Sequence, residues 1–471
     1  MRCTFLWRTQ SVLRGVRAAT EVKSVLRSLP YERRLGFLRA LHSDVLNHEE
    51  QIMAANRLDC SAFAQQQHNV VSPRPSFGKS SSSFSVDESI KNKWCEPSYN
   101  STHSEDRTEL SPLRIKKLLA GIEGLMRFPD PISTSSTDVK ITQETCSSCQ
   151  LAVQDVPVPL GVVGVLSRYR PRMTLDAVAM CIQSGNAVII DGGASVMNTN
   201  GAIMASVRRA LIAADIPVAA VVFVEANETE NDVTAEWLQA SDSVDLGIVC
   251  GNSKLYHYAC QRAAIPLIRA SGRACSLYVD KSADYETALR VVLNAKFQRP
   301  NATNAVNTLI LHESYPRIQE LLHTLNSQGV LLLGDTAAKK LASSCIDILA
   351  SEEVYNGLTE GLADFHRVLC VKVVRDLRSA IYFLDLFGSG QSDGIIATDE
   401  SAIREYCDLV DTAVVLVNAS TRLSSGTALG RGADLAIATS KVHARGPLTL
   451  AVLTTKKIVV RSMNPEGALR Q

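Results

Sequence analysis

Gly161-Val162-Val163-Gly164-Val165-Leu166 is a run without a charged side chain, bounded by Pro159 and Arg168. Such a run reads as a short strand buried on both faces. The segments downstream of it decide the fold. Thr174 to Ser184 carries a helical pattern stopped by Gly185, and Asn186-Ala187-Val188-Ile189-Ile190 is a second apolar run. A helix over Ser195 to Ala213, a strand at Ala219 to Val224 and a strand at Val244 to Val249 continue the alternation. Each strand–helix–strand crossover lays its helix against the sheet, so continuous apolar strands between amphipathic helices predict a parallel sheet covered on both sides. The pattern is that of a doubly wound, dinucleotide-binding α/β unit.

Working outward, a second α/β block is predicted, with strands at Cys275 to Val279, Thr308 to Leu311, Val330 to Leu333, Val368 to Val374 and Gly394 to Thr398. Upstream, Val25, Leu26, Leu29, Leu35, Leu38, Leu41 and Leu46 recur at helical spacing between Val22 and about Ala64, and helical periodicity returns at Leu113 to Leu125. Between Gln65 and Ser111 the aliphatic residues thin out among Pro73, Pro75, Ser80 to Ser83, Ser85 and Pro97, which reads as a long loop or partly disordered insertion. The chain ends in a strand-like tail, Lys456-Lys457-Ile458-Val459-Val460. The expected organisation is a leader over 1–21, a dinucleotide-binding-type domain over 22–266 with its Ser-rich insertion at about 65–111, and a catalytic-type domain over 267–409. A segment over 410–471 then returns to the first domain and supplies an oligomerisation strand.

A chain of 471 residues suffices for two domains with cores of their own. Its hydrophobic and charged fractions, 46% and 21%, are those of an ordinary globular protein, and a net charge of +1 offers no argument for nucleic acid or an anionic membrane surface. No apolar run approaches the roughly 18–20 residues that cross a bilayer. Twelve cysteines lie without regular spacing. The single Cys-x-x-Cys, Cys146-Ser147-Ser148-Cys149, has no second pair and no nearby histidine, so no metal site is expected and the thiols read as reduced. Arg2, Arg8, Arg14 and Arg17 precede the first acid, Glu21, among Leu6, Trp7, Val12, Leu13 and Val16. That composition matches a mitochondrial presequence; an amphipathic first helix of the folded domain is the alternative.

Three blocks carry a more specific resemblance. They are Pro159-Leu160-Gly161-Val162-Val163-Gly164 with Arg170-Pro171 and Ser184-Gly185-Asn186-Ala187-Val188; then Asn294 to Asn304; then Asn418-Ala419-Ser420-Thr421-Arg422 with His443-Ala444-Arg445-Gly446-Pro447 and Leu453-Thr454-Thr455-Lys456. In this order they resemble the gamma-glutamyl phosphate reductases (glutamate-5-semialdehyde dehydrogenases) of the aldehyde dehydrogenase superfamily. The similarity covers most of the chain outside the leader and the Ser-rich insertion.

The resemblance implies an aldehyde dehydrogenase-like fold, NADP(H) as cofactor and an oligomer, formed with itself or with an active homologue. It implies a reaction in which a cysteine thiolate attacks gamma-glutamyl phosphate, phosphate leaves, and the thioester accepts hydride. Thr303 stands at the nucleophile's position, with Asn304 next to it. Gln298, Arg299, Arg422 and Arg445 are implied pocket residues, although Arg422 and Arg445 would serve equally well as structural ion-pair partners. Arg170, Pro171, Asp191, Gly192, Gly193 and Gly251 are implied at the cofactor.

Departures from the family pattern fall on the chemistry. Threonine replaces the cysteine, and an aliphatic hydroxyl ionises several units above a thiol's pKa of about 8.5. Asp191-Gly192-Gly193 stands where the family has arginine and two glycines, and a carboxylate there would repel a 2′-phosphate or accept bonds from a ribose. Val249-Cys250-Gly251-Asn252 replaces a Pro-Arg-Gly-Gly turn, and Leu429-Gly430-Arg431-Gly432-Ala433-Asp434 brings an arginine into an apolar stretch. Two readings are open. One is a catalytically inactive or strongly impaired homologue kept for interaction or regulation; the other is a working oxidoreductase with an unusual nucleophile.

Overall fold

The computed structural model describes residues 12–69, 109–133, 139–142, 151–168, 170–225, 233–270, 275–300, 302–344, 346–348 and 368–463. Helices α1 (Val12–Ser28), α2 (Tyr31–Asn47), α3 (Glu49–Asn69) and α4 (Pro112–Met126) lead in, ahead of strands β1 (Val139–Thr142) and β2 (Leu151–Pro159). The doubly wound unit is β3 (Val162–Ser167), α5 (Pro171–Gln183), β4 (Ala187–Asp191), α6 (Met197–Ala213), β5 (Val221–Val224), α7 (Val233–Leu238), β6 (Leu246–Cys250), α8 (Ser253–Arg262) and β7 (Leu267–Arg269). Its five strands are all parallel, in the order β5-β4-β3-β6-β7. Every residue of β3, β4 and β6 is buried, which is why these strands read as unbroken apolar runs. The winding runs outward from β3 through β4 to β5 and then returns to β6 on the other side. The crevice beyond the carboxyl ends of β3 and β6 is therefore the topological switch point, where such sheets hold ligands.

One glycine of the opening run is fixed by packing. A Cβ on Gly164 would lie 2.2 Å from a ring carbon of Trp237, a fully buried side chain. Gly164→Ala is expected to destabilise the protein by about 1–3 kcal/mol through overpacking, read as a lowered urea midpoint.

The second unit comprises β8 (Cys275–Val279), α9 (Tyr285–Phe297), β9 (Val306–His312), α10 (Ile318–Ser327), β10 (Leu331–Gly334), α11 (Thr336–Leu341), β11 (Ile346–Ile348), β12 (Val368–Val374), α12 (Leu377–Phe387), β13 (Ser392–Ile396), α13 (Glu400–Leu409) and β14 (Val414–Val417). Its parallel sheet has the order β11-β10-β12-β9-β8-β13-β14. Leu277, Val279 and Leu309 join the apolar cluster on one face, while Tyr278 and Ile310 join the other, as the two-residue period of a strand requires.

The returning segment forms the short pair β15 (Ile437–Ala438) and β16 (Gly446–Pro447), places Leu448, Leu450 and Leu453 in the first unit's core, and ends in β17 (Thr454–Ser462). β17 runs antiparallel to β2 along nine residue pairs, from Thr454↔Pro159 to Ser462↔Leu151. Pro157 and Pro159 argue against a strand over Leu151–Pro159 in the sequence. They are tolerated because β1 pairs only with Leu151 to Gln154, leaving the proline end of β2 open on its second side.

Five boundaries differ from the expectation. Helix α1 begins at Val12, buries Val16 and Ala19, and Thr20 donates to the Ser243 carbonyl at 3.2 Å, so 12–21 belong to the first unit. Residues 1–11 lie outside the described residues. The Ser-rich insertion narrows, since α3 reaches Asn69 and buried Leu110 donates its N–H to Asn56 at 2.7 Å; 70–108 lie outside the described residues, as do Cys146 and Cys149. The break at 266 moves past β7, a three-residue strand too short to carry a period, and the break at 409 moves past β14, which pairs with β13. Among the described residues no helix is long and apolar enough to cross a membrane.

Candidate active site

Helix α9 is capped by Asp284, whose carboxylate accepts from the Thr287 N–H at 2.9 Å, and it delivers Gln298 and Arg299 to an exposed lip at its far end. The connection back to β9 carries Thr303, half-buried, and Asn304, buried. The Thr303 carbonyl accepts from Gln391 Nε2 at 3.0 Å and from Cys275 Sγ at 3.8 Å. Asn304 Nδ2 donates to the Arg422 carbonyl at 3.3 Å and to Ser424 Oγ at 3.2 Å, while its own carbonyl accepts from Thr421 Oγ1 at 2.7 Å. Arg422 rides on the one-turn 3-10 helix Thr421–Leu423, capped by Ser420, and donates Nε to Gln298 Oε1 at 2.7 Å. The fold thus gathers Gln298, Thr303, Asn304 and Arg422, from segments more than a hundred residues apart. Burial lowers the pKa of Arg422, and the like charge of neighbouring Arg299 lowers it further. Two cations that raise each other's cost are relieved by an anion between them.

Among the described residues the Thr303 hydroxyl has no histidine or carboxylate as a hydrogen-bond partner. Cys275 offers no substitute nucleophile. It is fully buried on β8, burial and the nearby Asp393 push its thiol well above the usual range, and its sulfur serves the carbonyl of Thr303.

Asp393 itself is pushed up to about 6 by burial, although it accepts from the Ser276 N–H at 2.9 Å. A carboxyl that binds its proton more tightly when folded lowers stability as pH rises from its ordinary value, 3.8, through about 6. Asp393→Asn should therefore flatten the fall in urea midpoint between pH 4 and 6.5, a contribution of at most about 3 kcal/mol.

Arg445 is not brought to this cluster. Its guanidinium pairs with Asp411 at 2.7 Å, just beyond α13, and Lys441 binds the same carboxylate. Arg431 is exposed on its loop, so its departure from an apolar pattern carries no burial penalty. Gln391 is not legible as a site residue in the sequence; it lies 88 positions from Thr303 and only the sheet order places the start of β13 beside β8.

At the switch point, Arg170 occupies the N-cap of α5 and Pro171 its first turn, where a missing N–H costs nothing. Arg170 is half-buried, its guanidinium has no hydrogen bond or ion pair with a described residue, and burial lowers its pKa; the Cys250 thiol beside it is itself pushed up to about 11 by burial. A cation at a helix N-terminus opposes the macrodipole, so this position favours a bound anion. Across the crevice Gly251 leads into α8, and a Cβ there would meet Leu255 at 2.5 Å. Asn252 accepts from the Leu255 N–H at 3.0 Å. Arg269, at the end of β7, donates to Ser253 Oγ at 2.9 Å and lies 4.9 Å from the Tyr256 ring centroid. A guanidinium therefore reaches the α8 turn from the neighbouring strand, although the turn itself has none.

The reading of Asp191 is corrected. Its carboxylate is fully buried, accepting from Thr234 Oγ1 at 2.6 Å and Trp237 Nε1 at 3.2 Å, and burial raises its pKa. It faces the interior of the first unit, so it presents no charge to a ribose or a 2′-phosphate. Gly192 and Gly193 are required by the turn: a Cβ on the first would lie 2.1 Å from the Asn200 amide nitrogen, and the second has φ +73 against the Arg168 side chain. With the carboxylate withdrawn and Arg170 and Arg269 at the crevice, the residues present fit the phosphates of a dinucleotide.

No family model matches the chain. Solved structures share its architecture. An acetylating aldehyde dehydrogenase from Geobacillus thermoglucosidasius superposes with TM-score 0.63 at 14% identity, over 98% of this chain and 97% of that one. The fold is aldehyde dehydrogenase-like. A gamma-glutamyl phosphate reductase from Thermotoga maritima superposes with TM-score 0.80 at 26% identity, over 98% of this chain and 100% of that one. In sequence, gamma-glutamyl phosphate reductase of Geobacillus thermodenitrificans is 35% identical over 356 residues, 75% of this chain and 82% of the relative. The Bacillus cereus protein of that name is 35% identical over 358 residues, 76% and 83%. The chain belongs to the gamma-glutamyl phosphate reductase family.

Proposed function

We propose that this chain keeps the pocket of a gamma-glutamyl phosphate reductase but has lost turnover, wholly or nearly so, and acts as an interaction or regulatory subunit of proline biosynthesis. One observation carries the reading. The position that must form and break a covalent bond to the acyl group holds a hydroxyl with no base beside it among the described residues. An alkoxide costs about 1.4 kcal/mol for each pKa unit above the medium, and an ester accepts hydride less readily than a thioester.

Arg299 and Arg422 suit an acyl phosphate or a carboxylate between them. Arg170 and Arg269 would hold the phosphates of NADP(H), which supplies the hydride in the family reaction. A partner is supported by β17, an edge strand whose Ile458 and Val460 are 67% and 54% exposed; a second copy or a cysteine-bearing homologue would pair along it. The Arg-rich start of the sequence supports mitochondrial targeting.

The test is phosphate-dependent NADP reduction by glutamate-5-semialdehyde with the unaltered protein, which is expected to stay at background. Turnover that disappears in Thr303→Val would overturn the proposal in favour of a working oxidoreductase with a threonine nucleophile or proton relay.

A further inference from the structure

Lys296 is fully buried in the last turn of α9. Its Nζ donates to the Val306 carbonyl at 3.1 Å, and among the described residues no carboxylate pairs with it. Burial pushes the amine down to about 8, which measures how poorly the site tolerates the charge. A cation at a helix C-terminus is favourable, but an exposed lysine would supply that at no desolvation cost, and methionine would fill the volume. Where a core breaks the rules of stability this plainly, the residue serves something else.

What it touches suggests what. Lys296 lies at the start of the connection that carries Thr303, and Val306 lies at its end. Between them the carbonyls of Thr303 and Asn304 accept from Gln391 and Thr421, both fully buried. Three carbonyls within four residues are therefore held by buried side-chain donors from three separate segments.

We propose that Lys296 is a positioning residue for position 303: by tying the end of α9 to the start of β9 it fixes the length and path of the connection that presents the side chain at 303 to the acyl group. This rests on reading 303 as the reacting position, and the principal measurement therefore reads the backbone, not turnover.

The experiment is amide hydrogen–deuterium exchange on the full chain. The Ala302 and Ala305 amides donate within the connection, to the Arg299 and Ala302 carbonyls at 3.0 Å each. Lys296→Met is expected to speed their exchange by about tenfold or more while β3 and β4 hold their rates, as local opening predicts. Lys296→Gln, whose amide is too short to reach Val306, is expected to do the same and carries the test if the methionine variant does not fold. In the Thr303→Cys background, Lys296→Met should lower kcat by about tenfold or more with KM within about twofold, the signature of lost orientation. Exchange at 302 and 305 unchanged within about twofold, or accelerated equally across β3 and β4, would overturn the proposal. A Thr303→Cys protein that is inert places a second defect at the dinucleotide crevice and leaves the exchange result to decide Lys296.

Discussion

Thr303→Cys is expected to raise phosphate-dependent NADP reduction by glutamate-5-semialdehyde at least about a hundredfold over the unaltered protein, a change of about 3 kcal/mol in the barrier. A thiol ionises near pH 8.5, whereas a hydroxyl lies several units higher, so the substitution alone supplies a populated anion. The surroundings favour that anion: Arg299 stands close enough to Arg422 to add to the lowering that burial gives its pKa, and the positive field of the two draws a thiol's pKa downward. The backbone is already held, with the carbonyl of 303 bound by Gln391 and that of 304 by Thr421. Thr303→Ser, which keeps the hydroxyl and frees it sterically, is expected to remain silent. A folded cysteine variant with no gain would move the defect to the dinucleotide crevice, and NADP binding measured by protein fluorescence would then be the quantity to track.

Asp130→Ala is expected to lower stability by about 3–5 kcal/mol, the range for removing one partner of a buried ion pair. Arg34 is 1% exposed on α2, donates Nη1 and Nη2 to the two Asp130 oxygens at 2.9 and 2.8 Å, and donates Nη1 again to the Gln183 carbonyl at 2.6 Å. Without Asp130 that guanidinium has, among the described residues, only a carbonyl and the face of Tyr31, 5.6 Å from the ring centroid, to offset its desolvation. Combining Arg34→Met with Asp130→Ala should recover a large share of the loss, because the pair together is worth far less than either half alone is costly. Urea midpoints of the two single variants and the double variant give the coupling directly.

The fold is largely readable because its strands are buried on both faces. β3, β4 and β6 appear as unbroken apolar runs, and Cys275–Val279 and Val368–Val374 end where the sequence pattern ends them. The elements that escape notice are short or atypical: β7 is Leu-Ile-Arg, and β2 carries two prolines that only a half-paired strand admits.

The site divides in the same way. Gln298, Asn304 and Arg422 can be singled out in the sequence because each lies in a block that resembles the family, whereas their meeting is the work of the fold. Asp191 is misleading because its place after a strand points to a ligand, whereas the groups that bind it, Thr234 and Trp237, come 43 and 46 positions later. Gln391 and the burial of Lys296 depend on which strands lie side by side, and no local pattern encodes that.

The long pairing of β17 with β2 has a consequence for how the chain is made. Its partners lie roughly 300 residues apart, so the ribbon adds contacts of very high sequence separation, the kind that slows folding. Leu448, Leu450 and Leu453 likewise complete a core whose sheet was synthesised far earlier. During translation the first unit therefore waits, with its last core positions unfilled and β2 lacking its main neighbour, until the second unit has emerged and the tail can return. That interval exposes the edge of β2 that β17 later covers, and a chain truncated before Thr454 would keep it exposed, making early termination a route to aggregation rather than to a smaller working domain.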